Sequence, residues 1–531
     1  MRNIPKMEES EPAELYTLEE PVAESTEINQ QSPGERAPAD TPTVNLRRWG
    51  GLAGGLILAI AMYLVLPDSL AQPGKVTAAI AVLMGIWWMT EALPIPATAL
   101  VPLVAFPVFA DVPIKDVGAS YGNDVIFLFM GGFMLALAMQ RWNLHRRIAL
   151  LTLKVMGPRP GAMIGGFMIA TGFLSMWVSN TATAVMMLPI GMSVLLLVAK
   201  VMPGVGHSTV TETGETVLKS KFATALMLGI AYSASIGSLG TIIGTPPNTL
   251  LVGYLNENFN ITIGFGQWML VGMPLAIVFM FLAWLVLTKV LFRPEIKEIP
   301  GGRQLINQEL ADLGPASKGE LRVLLIFVLA AVLWIGVPIV FEKPPISDAG
   351  IAMLIALLLF VLPGGSARGV RLLDWASAVQ LPWGVLLLFG GGLALSAQFS
   401  SSGLTEWIGT YATGLAGLPM WLIVGIVALV ILGLTELTSN TATAATFLPV
   451  AGGIALGIGA DPLLLTIPVA LAATCAFMLP VATPPNAVAF GSGYVTIGEM
   501  VKGGFYLNLV AIVLVTLTSL TLAVWVFGIV Y

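Results

Sequence analysis

The chain has 531 residues, of which 56% are hydrophobic and only 10% charged, and its formal net charge is −5. Soluble domains carry charge on about a quarter of their residues, so this composition excludes an ordinary water-soluble fold and indicates an all-α polytopic membrane protein. The negative balance is local: residues 1–40 hold ten acids against Arg2, Lys6 and Arg36, and the rest of the chain is slightly positive.

The first 46 residues are rich in Glu, Pro, Ser and Gln and poor in aromatics, which predicts a disordered acidic tail acting as a solvated spacer. No charged-then-apolar-then-cleavage pattern is present in it, so no signal peptide is expected. The lone cysteine, Cys475, excludes an internal disulfide or a cysteine metal site. His145 and His207 both fall in polar connections, which leaves no buried histidine for catalysis or metal binding.

After Arg47 and Arg48, apolar runs fall near 50–66, 76–93, 95–110 and 124–140, each a candidate span or part of one. A basic connection follows, with Arg141, Arg146, Arg147, Lys154 and Arg159. The stretch 160–200 is apolar on both sides of a polar string, and a polar loop at 203–220 leads to a long run at 222–255. Another run covers 264–292, and the charged, Pro- and Gly-rich connection 293–320 divides the chain into halves. The second half has runs near 321–341, 348–363 and 380–396, a long segment 404–459, a broken run at 462–492 and a last run near 505–530.

Basic residues favour the cytoplasmic side. With 160–200 and 404–459 entering and leaving on one face, about eleven crossings remain. The main basic connections then lie inside, the N-terminus is cytoplasmic and the C-terminus external.

Ser179-Asn180-Thr181-Ala182-Thr183-Ala184 recurs letter for letter as Ser439-Asn440-Thr441-Ala442-Thr443-Ala444, 260 residues later. The pairs Gly131-Gly132 and Gly391-Gly392 are also 260 apart, and Thr245-Pro246-Pro247-Asn248 recurs as Thr483-Pro484-Pro485-Asn486, 238 residues on. Equivalent segments are five crossings apart, an odd number, so the halves lie upside down relative to each other. Inverted repeats with broken helices meeting at the midplane characterise secondary transporters.

Non-helical backbone survives at membrane depth only where protein or water satisfies it. A tip of Ser, Asn and Thr offers oxygens suited to Na⁺ and amide and hydroxyl donors suited to carboxylates. Two prolines break the helix and remove donors, leaving carbonyls at Gly244 and Ala482 as candidate ion ligands. Helices restarting after each string point positive dipole ends at an anion. Which oxygen serves the ion and which the substrate stays open at this level.

Trp88-Met89-Thr90-Glu91-Ala92-Leu93-Pro94-Ile95-Pro96, together with both duplicated strings, resembles the divalent anion/sodium symporter family over nearly the whole chain beyond residue 46. The resemblance implies a homodimer in the plasma (inner) membrane, with a scaffold domain and a mobile transport domain that moves as an elevator. On that pattern 47–156 and 321–400 form the scaffold and 157–293 and 401–531 the transport domain. Residues 294–320 form a cytoplasmic linker, and 1–46 the tail. It also implies a first Na⁺ site at Ser175, Ser179, Asn180 and Gly244, and a second at Thr435, Thr438, Asn440 and Ala482. The substrate, a dianion, would meet Asn180, Thr181, Asn440 and Thr441, with Thr245 and Thr483 close by.

No Lys, Arg or His occurs between Arg159 and Lys200, between Lys221 and Lys289, or between Arg371 and Lys502. A dianion without a protein cation needs positive charge from elsewhere, and bound Na⁺ supplies it. Symport is therefore expected, and the two symmetric carboxylate-sized Asn/Thr clusters suggest a four-carbon dicarboxylate such as succinate, malate or fumarate. A dicarboxylate exchanger and a Na⁺-coupled sulfate or citrate carrier are the readings beside it. Glu436 is a candidate to tune the second sodium site or, equally, a hydrogen-bonded packing group. Glu91 is expected to stabilise a helix end, and Asp124 a helix start. An intramembrane enzyme would need a base or paired acid that the chain does not place, a channel would not need the inverted broken repeats, and no nucleic-acid partner is expected.

Overall fold

The computed structural model describes residues 41–202, 207–210, 216–299, 301–341 and 343–530. The helix α1 (Pro42–Val65) begins inside the stretch expected to be tail, because Thr43 to Leu46 continue into the apolar run without a breaker. The expected disorder of residues 1–40 lies outside the described residues. From Arg48 onward the chain is one compact body.

Chain order then runs α2 (Gln72–Thr90), α3 (Val101–Phe109), α4 (Asp124–Arg141), α5 (Leu144–Met156), α6 (Pro160–Ser175) and α7 (Asn180–Val201). Next come α8 (Lys221–Ser238), α9 (Pro246–Phe259) and α10 (Phe265–Leu285). The connection holds α11 (Gly302–Asp312), and α12 (Lys318–Val340), α13 (Asp348–Val361) and α14 (Trp383–Ser401) follow. The last part contains α15 (Leu404–Ala412), α16 (Met420–Thr435), α17 (Asn440–Gly457), α18 (Pro462–Ala473), α19 (Pro484–Gly491) and α20 (Ile497–Leu520). Among the described residues the only departure from helix in regular structure is a small antiparallel pair, β1 (His207–Val210) with β2 (Thr216–Lys219).

Among the described residues, seven helical stretches are long and apolar enough to cross a bilayer, and five shorter apolar helices accompany them. The arms α6 and α16 have 16 residues each. At 1.5 Å per residue that is about 24 Å, short of a hydrocarbon core of about 30 Å. Each arm stops at Ser175 or Thr435, and the next helix starts five residues later at Asn180 or Asn440. Both Ser-Asn-Thr strings therefore sit at helix–turn–helix tips, as their composition predicts.

Three expectations need correction. The second hairpin begins at Met420, not near 404, because Gly403 in a left-handed conformation starts a separate short amphipathic helix, α15. The basic connection after α4 is itself helical: α5 turns Leu144, Ala149, Leu150 and Leu153 inward and keeps its charges on the other face. His145 consequently does not stand in a polar loop; it is half-buried on α5 with Nδ1 3.0 Å from the Met139 carbonyl. Arg146 and Arg147 of α5 pair with Glu309 of α11 and Glu320 at the start of α12, which ties the connection between the halves down.

Two acidic residues fall at helix ends. Asp124 is the first residue of α4, whose N-cap Asn123 accepts from the Val125 N–H at 3.0 Å. Glu91 closes α2 in a left-handed conformation. The duplicated Gly-Gly pairs also have a common use. Gly131 abuts the backbone of Ala352 in α13 and Gly391 that of Ala99, whereas Gly132 faces Ile243 and Gly392 faces Ala445. In each pair one glycine packs within the expected scaffold and the next meets the expected transport domain.

Candidate functional site

Ser175 ends α6 and is fully buried, and its hydroxyl lies 2.8 Å from Asn180 Oδ1 and 2.6 Å from the Ala234 carbonyl of α8. The second half repeats the arrangement: the Thr435 hydroxyl is 2.8 Å from Asn440 Oδ1 and 2.7 Å from the Ala473 carbonyl of α18. A hydroxyl has one hydrogen, so in each cluster three oxygens meet around a single hydroxyl hydrogen, the Ala234 carbonyl also lying within the hydrogen-bonded run of α8. Oxygen-rich, donor-poor clusters of this kind suit a hard cation. Ala234 and Ala473 were not among the sequence candidates. They pair 239 residues apart, one step off the offset of the Thr-Pro-Pro-Asn strings, so only a gapped comparison of the halves would reveal them.

Asn180 and Asn440 are half-buried, each the first residue of its helix. Asn180 Nδ2 also approaches the Ser238 hydroxyl at 3.4 Å. Ser179 caps α7, accepting from the Ala182 N–H at 3.3 Å. The Thr438 hydroxyl is 2.9 Å from the Leu434 carbonyl and 2.6 Å from the Thr443 hydroxyl, so it is already engaged within its own hairpin. Thr181 is exposed on the first turn of α7, while Thr441 is buried in α17.

The Thr-Pro-Pro-Asn strings start α9 and α19, with prolines at the first two helical positions, where the missing N–H costs nothing. Thr245 is buried, and its hydroxyl lies 3.4 Å from that of Thr474, a direct contact between the two breaks. Thr474, too, was not anticipated. Thr483 instead caps its own helix, accepting from the Asn486 N–H at 3.3 Å. The halves interlock around this centre: α7 packs on α19, and α9 packs on α17.

The breaks differ in length. The first runs from Leu239 to Thr245 and the second from Thr474 to Thr483, so the second frees more backbone. Glu436 answers that excess. Its Oε1 accepts the Phe477 N–H at 2.8 Å, both carboxylate oxygens accept the Met478 N–H at 3.0 Å, and Asn508 Nδ2 of α20 donates at 2.7 Å. Of the two sequence readings of Glu436, the hydrogen-bonded brace is the one these contacts describe. The equivalent position in the first half is Met176, whose carbonyl accepts from the Thr241 hydroxyl at 2.5 Å.

Each break is also backed by a glycine on the following helix. A Cβ on Gly272 of α10 would stand 2.4 Å from the Leu239 carbonyl oxygen, and one on Gly504 of α20 would stand 2.4 Å from the Phe477 backbone. Backbone cannot yield as a flexible side chain can, so overpacking here is costly. Gly504→Ala should lower the melting temperature of the purified protein in detergent, by an equivalent of about 1–3 kcal/mol. An unchanged melting curve would mean that the break can move aside.

Residues 47–529 match the family described as sodium:sulfate symporter transmembrane region. The chain is 43% identical over 487 residues to the sodium-dependent dicarboxylate transporter SdcS of Staphylococcus saprophyticus, covering 90% of this chain and 92% of that one. The SdcS of Staphylococcus aureus strain USA300 is 42% identical over 473 residues, 88% of this chain and 89% of that one. Among solved structures, the YdaH transporter of Alcanivorax borkumensis aligns with a TM-score of 0.50 at 15% identity, over 86% of this chain and 99% of that one. MtrF of Neisseria gonorrhoeae aligns at 0.51 and 13% identity, over 89% and 97%. Those two likenesses speak to the fold alone. The paired hairpin tips, the paired breaks and the match over residues 47–529 agree: the chain belongs to the divalent anion/sodium symporter family of membrane transporters.

Proposed function

We propose that the protein imports a four-carbon dicarboxylate such as succinate, malate or fumarate, coupled to Na⁺. The observation that carries this is the pair of oxygen clusters, Ser175–Asn180–Ala234 and Thr435–Asn440–Ala473, each with three oxygens to one hydroxyl hydrogen. Na⁺ at each, completed by backbone at Gly244 and Ala482 and by Ser179 and Thr438, would supply the positive charge that the intramembrane sequence lacks. The carboxylates would then lie against Asn180, Thr181, Asn440 and Thr441, near Thr245 and Thr483. Two tips from opposite halves suit two separated carboxylates better than one compact sulfate. The relatives named sodium-dependent dicarboxylate transporters support the same reading.

For the motion, the reading is an elevator: the hairpins and broken helices slide as one body past a scaffold of α1–α5 and α12–α14, in a homodimer embedded in the plasma membrane. The polar contacts that would have to break include the Phe265 N–H donating to Asp348 at 2.7 Å and the Trp407 indole N–H approaching the Ser69 hydroxyl at 3.4 Å. At one end of α9, Glu257 accepts from Ser120 at 2.8 Å and from Asn123 at 3.4 Å. Beside it, Asn258 donates to Ser396 at 2.9 Å and accepts from Ser400 at 2.7 Å.

The deciding experiment is uptake of labelled succinate into proteoliposomes under an inward Na⁺ gradient, with choline replacing Na⁺ in the control. Uptake should collapse in choline, and unlabelled malate and fumarate should compete more strongly than sulfate. Full uptake in choline would leave an exchanger as the better reading, and sulfate competing best would redirect the substrate assignment.

A further inference from the structure

The last residue of each Thr-Pro-Pro-Asn string has no place among the expected ligands, yet both copies do the same thing. Asn248 Nδ2 donates to the Thr241 carbonyl at 2.9 Å and to the Leu239 carbonyl at 3.4 Å. Asn486 Nδ2 donates to the Leu479 carbonyl at 3.0 Å and to the Ala476 carbonyl at 3.2 Å. Both residues are fully buried, and neither Oδ1 accepts a hydrogen bond among the described residues.

A primary amide nitrogen carries two hydrogens, and each meets one carbonyl of the interrupted backbone. The hairpin tips differ, since there three oxygens meet around one hydroxyl hydrogen; here two hydrogens meet two carbonyls, and the Leu239 carbonyl also accepts the Trp268 indole N–H at 3.1 Å. The local chemistry explains why asparagine stands there. A helix that stops leaves its last carbonyls unpaired, and two prolines at the restart withdraw the nearest N–H groups. Asparagine is the first residue after the prolines, and side chains of a helix lean toward its N-terminus, back over the break. Gly244 and Ala482 lie between the bracketed carbonyls and the prolines, so the bracket sets where those two backbone groups sit.

We propose that Asn248 and Asn486 are positioning residues for cation binding: their amide donors hold each helix break in the shape that presents Gly244 and Ala482 to the hairpin tips. The inference rests on the sodium-coupled reading and adds to it a role for donors rather than oxygens. Aspartate separates the two roles. It keeps an oxygen and loses both hydrogens, and it turns an acceptor toward two carbonyl oxygens.

The test uses purified full-length protein, with succinate uptake in proteoliposomes at graded Na⁺ and Na⁺-dependent melting in detergent. In Asn248→Ala, Asn486→Ala and the two Asn→Asp variants, the Na⁺ concentration for half-maximal uptake should rise about tenfold or more. The aspartates should be at least as impaired as the alanines, and the succinate half-saturation measured at saturating Na⁺ should stay close to wild type. The melting shift produced by Na⁺ should need correspondingly more Na⁺. Should an alanine variant not accumulate, Asn→Ser retains one donor hydrogen and should give an intermediate shift; an unshifted serine variant overturns the inference. Aspartate variants with wild-type or tighter Na⁺ dependence would make the oxygen a ligand and overturn it. So would alanine variants that lose only folded protein, with Na⁺ dependence unchanged. Sodium-independent uptake by the wild type overturns the transport reading and this inference together, whereas sodium-dependent wild-type uptake with unshifted variants overturns the inference alone.

Discussion

Asn180→Ala and Asn440→Ala should each reduce sodium-driven succinate uptake to background while leaving the amount of folded protein unchanged. Each asparagine contributes one of the three oxygens of a cluster, Asn180 Oδ1 beside Ser175 and Asn440 Oδ1 beside Thr435. Losing an interaction with a charged partner costs about 1.5–3 kcal/mol, which corresponds to roughly 10- to 150-fold in binding or rate. Folding should tolerate the change for a specific reason. With the asparagine gone, the Ser175 or Thr435 hydrogen still has the Ala234 or Ala473 carbonyl as its acceptor, so no donor is stranded. Alanine is also a better helix former than asparagine at the start of α7 and α17. The measurement is initial uptake in proteoliposomes set against the monodisperse peak on size exclusion. Near-wild-type uptake in either variant would reduce the strings to helix-turning devices.

Removing the Glu436 carboxylate should act on the fold first. In Glu436→Ala the N–H groups of Phe477 and Met478 and the amide of Asn508 all lose their acceptor in a buried place. Each stranded buried donor costs about 1–3 kcal/mol, so the total is on the order of 3–5 kcal/mol or more. Folded yield and melting temperature should fall sharply. Glu436→Gln keeps one oxygen that can still receive the Phe477 and Met478 donors, and it should recover most of the stability. If glutamine is as damaging to uptake as alanine, and alanine leaves the melting temperature unchanged, the carboxylate acts through its charge on sodium and not through the backbone of the break. Two variants and one melting curve separate these roles.

Much of the architecture is written in local sequence because its causes are local. Apolar runs of bilayer length, the paired prolines after Gly244 and Ala482, and the polar strings at 179 and 439 place helices, breaks and tips within a few residues, since each acts on its own stretch of backbone. The departures have local causes too: Gly403 separates α15 from the hairpin, and the charges of the amphipathic helices α5 and α11 mask a 3.6-residue period.

By itself, the sequence determined that the protein lives in a membrane, that it is built from two equivalent halves, and which strings turn and break its helices. Tertiary structure decided which atoms meet there. The Ala234 and Ala473 carbonyls, Thr474 beside Thr245, and Asn508 beneath Glu436 are placed by packing between segments that lie tens to hundreds of residues apart. The surroundings of the four duplicated asparagines divide on the same ground. Asn180 and Asn440 face surplus oxygens, and Asn248 and Asn486 face carbonyls that a broken helix left behind. Residue type announces that an amide is present; only the neighbouring backbone settles whether its oxygen or its hydrogens are used.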